Sequence, residues 1–138
     1  MSAYAASTRF LPLVARLLIG IPFVFSGVGK IANYAGTVGY IASVGLPAAP
    51  LGWLIAVLVE VGLGALLILG WRTRPVAIVM ALFTIATAVF FHNNLGDQGQ
   101  LINFMKNVMI AGGLLQIASF GAGELSLDGR RAAPARLA

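Results

Sequence analysis

The sequence predicts an all-α membrane protein: a four-transmembrane-helix bundle with a short amphipathic helix between spans one and two. Three observations carry that reading. Hydrophobic residues make up 59% of the chain and charged residues 9%, whereas about a quarter of a soluble domain is charged. Mean hydropathy is +0.95. The apolar residues also gather into four stretches, 10–29, 51–71, 75–92 and 101–120, and each approaches the ~20 residues that cross ~30 Å of hydrocarbon at ~1.5 Å per residue. The stretches follow one another closely, so residues 1–138 read as a single transmembrane domain.

Span one contains Arg16. A cleavable signal peptide is the competing reading of this segment, but Arg16 interrupts the apolar run such a peptide needs and no small-x-small site follows it, so the span is expected to remain. After it, Ile31, Tyr34, Ala35, Val38, Ile41 and Ala42 recur at helical spacing until Gly45, Leu46 and Pro47 stop the run. This is the amphipathic helix, expected on the outer membrane surface. A linker resting in the headgroups is the simpler role for it, and a lid over a cavity the functional one.

Span two carries Glu60 near the middle of 51–69, an otherwise uncharged run. An ionisable group at that depth costs roughly 2.5 to 3.5 kcal/mol on insertion scales, and about a dozen Leu, Ile and Val residues at roughly 0.3 to 0.6 kcal/mol each offset it. Insertion survives, yet an intramembrane carboxyl reads as functional by default. Span three closes on His92, residues 93–100 form a polar turn broken by Gly96 and Gly99, and span four follows. The tail, 121–138, is polar and arginine-bearing and reads as a short, largely unstructured cytoplasmic end.

Basic residues set the orientation. With both termini cytoplasmic, Arg9, Arg16, Arg72, Arg74, Arg130, Arg131 and Arg136 lie at or nearer the inner face, leaving Lys30 and Lys106 nearer the outer one. Trp71 then marks the inner interface, and Tyr34, Tyr40 and Trp53 the outer. The net charge of +5 sits beside span ends rather than on a soluble basic face, so no nucleic-acid partner is expected. The chain has no cysteine and one histidine. That excludes thiol chemistry and cysteine-ligated metal in this chain, and bis-histidine haem; no metal and no covalently bound cofactor is expected.

Residues three and four apart share a helix face. Arg16, Gly20, Gly27 and Lys30 align on span one, and Ala56, Glu60 and Gly64 on span two. Thr84, Ala88 and His92 align on span three, and Asn103, Lys106, Asn107 and Gly113 on span four. Small residues let membrane helices approach closely, so these stripes are expected to face the bundle interior, although they could equally serve contacts in an oligomer. By residue count Glu60 lies roughly 14 Å below the outer end, Lys106 roughly 8 Å, and Arg16 roughly 6 Å to the inner side of Glu60. Glu60 is therefore expected between Arg16 and Lys106, at the floor of a polar pocket that opens outward past Lys30, His92, Asn103 and Asn107. Two readings of this cluster stay open. It is an ion-pair network that fixes helix register, or it is a site for the head of an amphipathic ligand. A quinone suits the second: Glu60 can exchange a proton, and Arg16, Lys30, His92, Asn103, Lys106 and Asn107 can bind the ligand through hydrogen bonds to its carbonyls.

The run Arg16-Leu-Leu-Ile-Gly20-Ile-Pro-Phe23-Val-Phe-Ser26-Gly27-Val-Gly-Lys30 resembles the opening motif of the DoxX family. Glu60 with Gly62, Gly64 and Gly70-Trp-Arg72-Thr-Arg74 resembles that family's second span. Phe104-Met-Lys106-Asn107-Val-Met-Ile-Ala-Gly112-Gly113 and Gly121-Ala-Gly123-Glu-Leu-Ser126-Leu-Asp128 resemble its closing segment. The resemblance implies a four-span protein of the bacterial inner membrane. Some DoxX-like proteins are named as small subunits of a thiosulfate:quinone oxidoreductase, and others are associated with membrane complexes that handle oxidative or sulfur stress. No catalytic residue comes with the resemblance. Three functions are carried forward: a quinone-facing subunit of a redox complex with soluble redox partner proteins, a non-catalytic anchor recruiting soluble partners through Arg72, Arg74 and the tail, and a small transporter or lipid-binding protein. The last lacks the inverted repeat or broken helix pair of alternating access. In a redox complex that handles sulfur, a partner must supply the thiol.

Overall fold

A computed structural model describes residues 3–135, with side chains from 8 to 132, and shows the four-span helical bundle. Helix α1 is Ala3–Ala32 and α2 is Tyr34–Ser43. Helix α3, Ala49–Leu69, contains a π-helical turn at Leu58–Leu63. Helix α4 is Thr73–Phe91, α5 is Gln98–Phe120 and α6 is Leu127–Ala135. Thr8–Ala32, α3, α4 and α5 are each long and apolar enough to cross a membrane. Arg136, counted above among the inner-face arginines, lies outside the described residues.

Local chemistry sets the helix ends. The Asn33 side chain accepts from Gly36 N at 3.2 Å at the start of α2, and Asp97 accepts from Gln100 N at 2.9 Å at the start of α5. Each satisfies an amide that the first turn of a helix leaves without an internal partner. Helix α3 stops at Gly70, whose φ is +67°. There Trp71 N donates to Leu66 O and Gly70 N to Leu67 O, the Schellman arrangement that calls for a left-handed residue.

Helix α1 packs along α3, and α4 along α5. Glycines set the first contact. A Cβ on Gly20 would lie 2.5 Å from Ile68 Cγ1, and one on Gly27 would lie 2.6 Å from Val61 Cγ2 and 2.9 Å from Glu60 Cβ. The core gathers in the half of the bundle that bears the tail, around Leu67, Val76, Ala77, Met80, Leu114 and Ile117. Exposed Leu18, Phe25, Leu82 and Met109 cover the outside, as lipid-facing surface requires.

As far as residue 135 the tail is ordered, contrary to the sequence expectation. Beyond Gly121 it turns back under the bundle, where the Asp128 carboxylate accepts from Arg72 N and Thr73 N at 2.8 Å each, and Asp128 N donates to Gly70 O at 2.9 Å. Asp128 thus caps the start of α4 from far along the chain, a contact that local sequence cannot announce. Arg16 joins the same junction. Only 1% exposed, it donates through Nη1 to Leu67 O (3.3 Å) and Ile68 O (2.6 Å), and through Nη2 to Leu125 O (2.5 Å). Two of those carbonyls are among the last of α3, where a cation is favoured by the helix dipole. Arg16 is therefore the clip between α3 and the tail, not the partner of Glu60 that depth counting suggested.

Burial pushes the Asp128 carboxyl up, but hydrogen bonds from Thr73 and Arg72 and the charge of Arg131 more than offset it, leaving it below the usual carboxylate value. A depressed folded value stabilises the docked tail above the unfolded carboxyl pKa and loses that contribution as pH falls through the folded one. Limited proteolysis should find the tail docked from neutral pH down to about pH 4 and released in stronger acid. Asp128→Ala should release it at neutral pH and reduce stability by about 1 kcal/mol; unchanged cleavage of that variant would contradict the cap.

Candidate ligand pocket around Glu60

Glu60 sits on the π-helical turn Leu58–Leu63. Such turns are rare, occur mostly as single insertions within α-helices and are frequent at functional sites. Here both Val59 and Glu60 are buried. Nothing in the residue pattern marks the insertion, and the sequence reading missed it. The opposing Gly27 lets α1 settle against the turn, level with Glu60.

That register decides the ion pair. Lys30 Nζ lies 2.9 Å from Glu60 Oε1 and 2.8 Å from Oε2, and also donates to Ser26 Oγ at 2.9 Å. All three ammonium hydrogens are engaged. Trp53 Nε1 donates to Lys30 O at 2.9 Å and packs edge-on against Tyr34, with ring centroids 4.9 Å apart. These contacts hold the last turn of α1 against the first turns of α3. The expected partners Arg16 and Lys106 are thus replaced by Lys30, which sequence counting had placed too far outward.

Space remains beside the pair. A cavity of about 290 Å³ opens away from the tail end, between Lys30, Thr37, Tyr40, Ile41, Phe91 and His92. A deeper one of about 210 Å³ lies towards Pro22, Phe23, Thr84 and Ile110. Ser26, Glu60, Phe83, Thr87 and Asn107 line both, so the carboxylate stands where they meet. Helix α2 forms part of the outer wall, and Tyr40 meets Phe91 with ring centroids 5.3 Å apart. The amphipathic helix therefore has the placement of a lid.

Polar groups on the far wall are linked across α4 and α5. Asn107 Nδ2 donates to Thr87 Oγ1 at 3.3 Å, and Thr87 Oγ1 to Thr84 O at 2.8 Å. His92 Nδ1 lies 2.9 Å from Gln100 Oε1. With that oxygen accepting, Nδ1 carries the hydrogen and Nε2 of the neutral ring is left as an acceptor.

Of the residues singled out from sequence, Glu60, Lys30, His92 and Asn107 meet at these cavities. Arg16 does not, and neither do Asn103 and Lys106, which are exposed on α5. Neighbours in sequence point about 100° apart on a helix, so turning Asn107 inward turns Lys106 away. Ser26, Thr37, Tyr40 and Thr87 were missed. Ser26 lies four residues before Lys30 and Thr87 three after Thr84, which places each on a stripe that pattern had marked.

Comparison with known proteins adds identity to this geometry. The DoxX family model matches residues 11–93. The chain belongs to the DoxX family. The match takes in Lys30, Glu60 and His92 and stops before α5. The chain is 39% identical over 132 residues to inner membrane protein YphA of Escherichia coli strain K12, covering 92% of this chain and 94% of that protein. It is 41% identical over 116 residues to inner membrane protein YqjF of the same strain, covering 84% and 88%. No solved structure gives a significant match. A multi-pass protein of the inner membrane is thereby established for this DoxX member.

Removing one member of a part-buried pair strands the other. Lys30→Ala should reduce thermal stability in detergent by about 1 to 3 kcal/mol, and adding Glu60→Gln should restore part of the loss. Additive losses in the double variant would show that the pair contributes nothing as a pair.

Proposed function

We propose that this DoxX member binds the head of a quinone in the pocket around Glu60 and serves as a small subunit of a membrane redox complex. The observation that carries the reading is the position of the Lys30–Glu60 pair at the meeting point of two cavities that it leaves open. A pair that serves only as glue would be expected to close over such space.

The fit is one of size and chemistry. Small-molecule sites run from roughly 300 to 1,000 Å³, and the outer cavity, about 290 Å³, takes a head of about one ring. Phe83 and Phe91 give it apolar walls. Glu60, held by Lys30, offers carboxylate oxygens to a hydroxyl hydrogen and can take up that proton. Asn107 Nδ2 keeps a second hydrogen for a carbonyl, and His92 Nε2 accepts at the outer rim. Quinone chemistry moves two electrons with two protons; these residues serve the protons, and a redox partner must serve the electrons. Where that partner handles sulfur it also brings the thiol, since this chain has no cysteine. With the arginine-rich end cytoplasmic, the pocket opens towards the outer leaflet.

Mass spectrometry of small molecules extracted from protein purified in mild detergent tests this. A quinone near one per chain is expected, and bulk phospholipid alone would oppose it. Glu60→Gln, which leaves Lys30 its Ser26 contact and an amide oxygen, should fold with a modest loss of stability and lose most of the quinone; a folded variant that keeps its quinone would favour a structural pair instead.

A further inference from the structure

A second pair of cavities lies at the tail end, apart from the Glu60 pocket. One, of about 710 Å³, is an apolar groove between α1 and α5. Its α1 wall runs from Thr8 to Ile19, roughly 16 Å along the helix axis at ~1.5 Å per residue. The other, of about 810 Å³, is lined by Arg74, Arg130, Glu124 and Asp128 among others. Thr8, Phe120 and Gly123 border both. The groove therefore opens into the polar cavity at the level where α1 enters and α5 leaves the membrane.

The charged groups there differ in what they already hold. Asp128 is engaged by the amides of Arg72 and Thr73. Arg74 packs its guanidinium over the end of α5, where a Cβ on Gly121 would lie 3.7 Å from Nε and 3.9 Å from Nη2. Among the described residues the side chains of Arg74, Arg130 and Glu124 make no hydrogen bond or ion pair. Two free guanidinium groups and one free carboxylate thus share a cavity at the mouth of an acyl-sized groove.

Each part selects a chemistry. The groove suits a hydrocarbon chain, and a guanidinium suits the oxygens of a phosphodiester, which it can bind through two parallel hydrogen bonds. Glu124 sets the remaining condition. Beside a bound phosphate its carboxylate is repelled unless a positive charge offsets it, and a primary ammonium brings that charge with three N–H donors. A headgroup with phosphate alone leaves that repulsion, and a trimethylated ammonium brings charge without an N–H.

The geometry points to a bound phospholipid of the ethanolamine class, with one acyl chain between α1 and α5, its phosphate on Arg74 and Arg130, and its ammonium on Glu124. The site is distinct in ligand and location from the pocket around Glu60.

Native mass spectrometry of the full chain tests it, after reconstitution in equal amounts of phosphatidylethanolamine, phosphatidylglycerol and phosphatidylcholine and mild removal of loose lipid. Wild type should retain one phosphatidylethanolamine over either competitor by roughly tenfold. Glu124→Gln should abolish that preference and raise the share of phosphatidylglycerol. Arg74→Gln with Arg130→Gln should lower retention of all three by roughly tenfold. Retention in proportion to the supplied mixture would overturn the proposal, as would a preference for phosphatidylglycerol in wild type. Should the double arginine variant fail to fold, the headgroup preference of wild type and of Glu124→Gln, an exposed position, decides alone. Glu60→Gln should leave the lipid preference unchanged, which separates this result from any outcome at the other pocket.

Discussion

The ion pair between Lys30 and Glu60 depends on how closely α1 approaches α3, and most of the bundle is arranged around that approach. A carboxylate in hydrocarbon needs a cation within hydrogen-bonding reach. Gly27 supplies the room, since any larger residue would collide with Val61 and with the β-carbon of Glu60 itself. Gly20 and Gly64 continue the contact, and Trp53 fastens the last turn of α1 to α3 at the other side. The π-helical turn belongs to the same arrangement, because it carries Glu60 against Gly27.

Charge is handled differently at the two ends. At the tail end the Arg16 guanidinium is held by carbonyls through Nη1 and Nη2, with Nε left without a partner, and the Asp128 carboxylate is held by amides, so both charges are met by backbone. The densely packed core lies on that side. At the opposite end the pair is bordered by open space, a lid-like helix and hydroxyl and amide groups with capacity to spare. The packed core thus lies on the tail side of the pair, and the space that borders Glu60 lies between the helices on its other side.

Much of this was legible in the sequence. Length and apolarity settle the four spans, because the bilayer fixes how long a span must be. The stripes through Glu60, Lys30, His92 and Asn107 point to one interior because glycine and alanine accompany them. Residue counting failed where register between helices mattered. It assumed that depth along each helix could be compared directly, and so paired Glu60 with Arg16 and Lys106, whereas Gly27 sets α1 one turn below Lys30 against Glu60. The ordered tail was missed for a related reason: Asp128 acts on α4 from 55 positions away, and composition alone made the segment look unstructured. The π-helical turn left no trace in residue pattern at all.

The central claim is that an accessible, ligand-sized space borders the Lys30–Glu60 pair. Because the chain has no cysteine, a single Thr87→Cys places one thiol on the wall shared by both cavities. Labelling of that thiol by a small methanethiosulfonate reagent, with and without a fully substituted short-tail quinone that does not alkylate thiols, measures the space directly. The account predicts labelling that the quinone blocks. A thiol that never labels, or one that labels equally in both conditions, would contradict it.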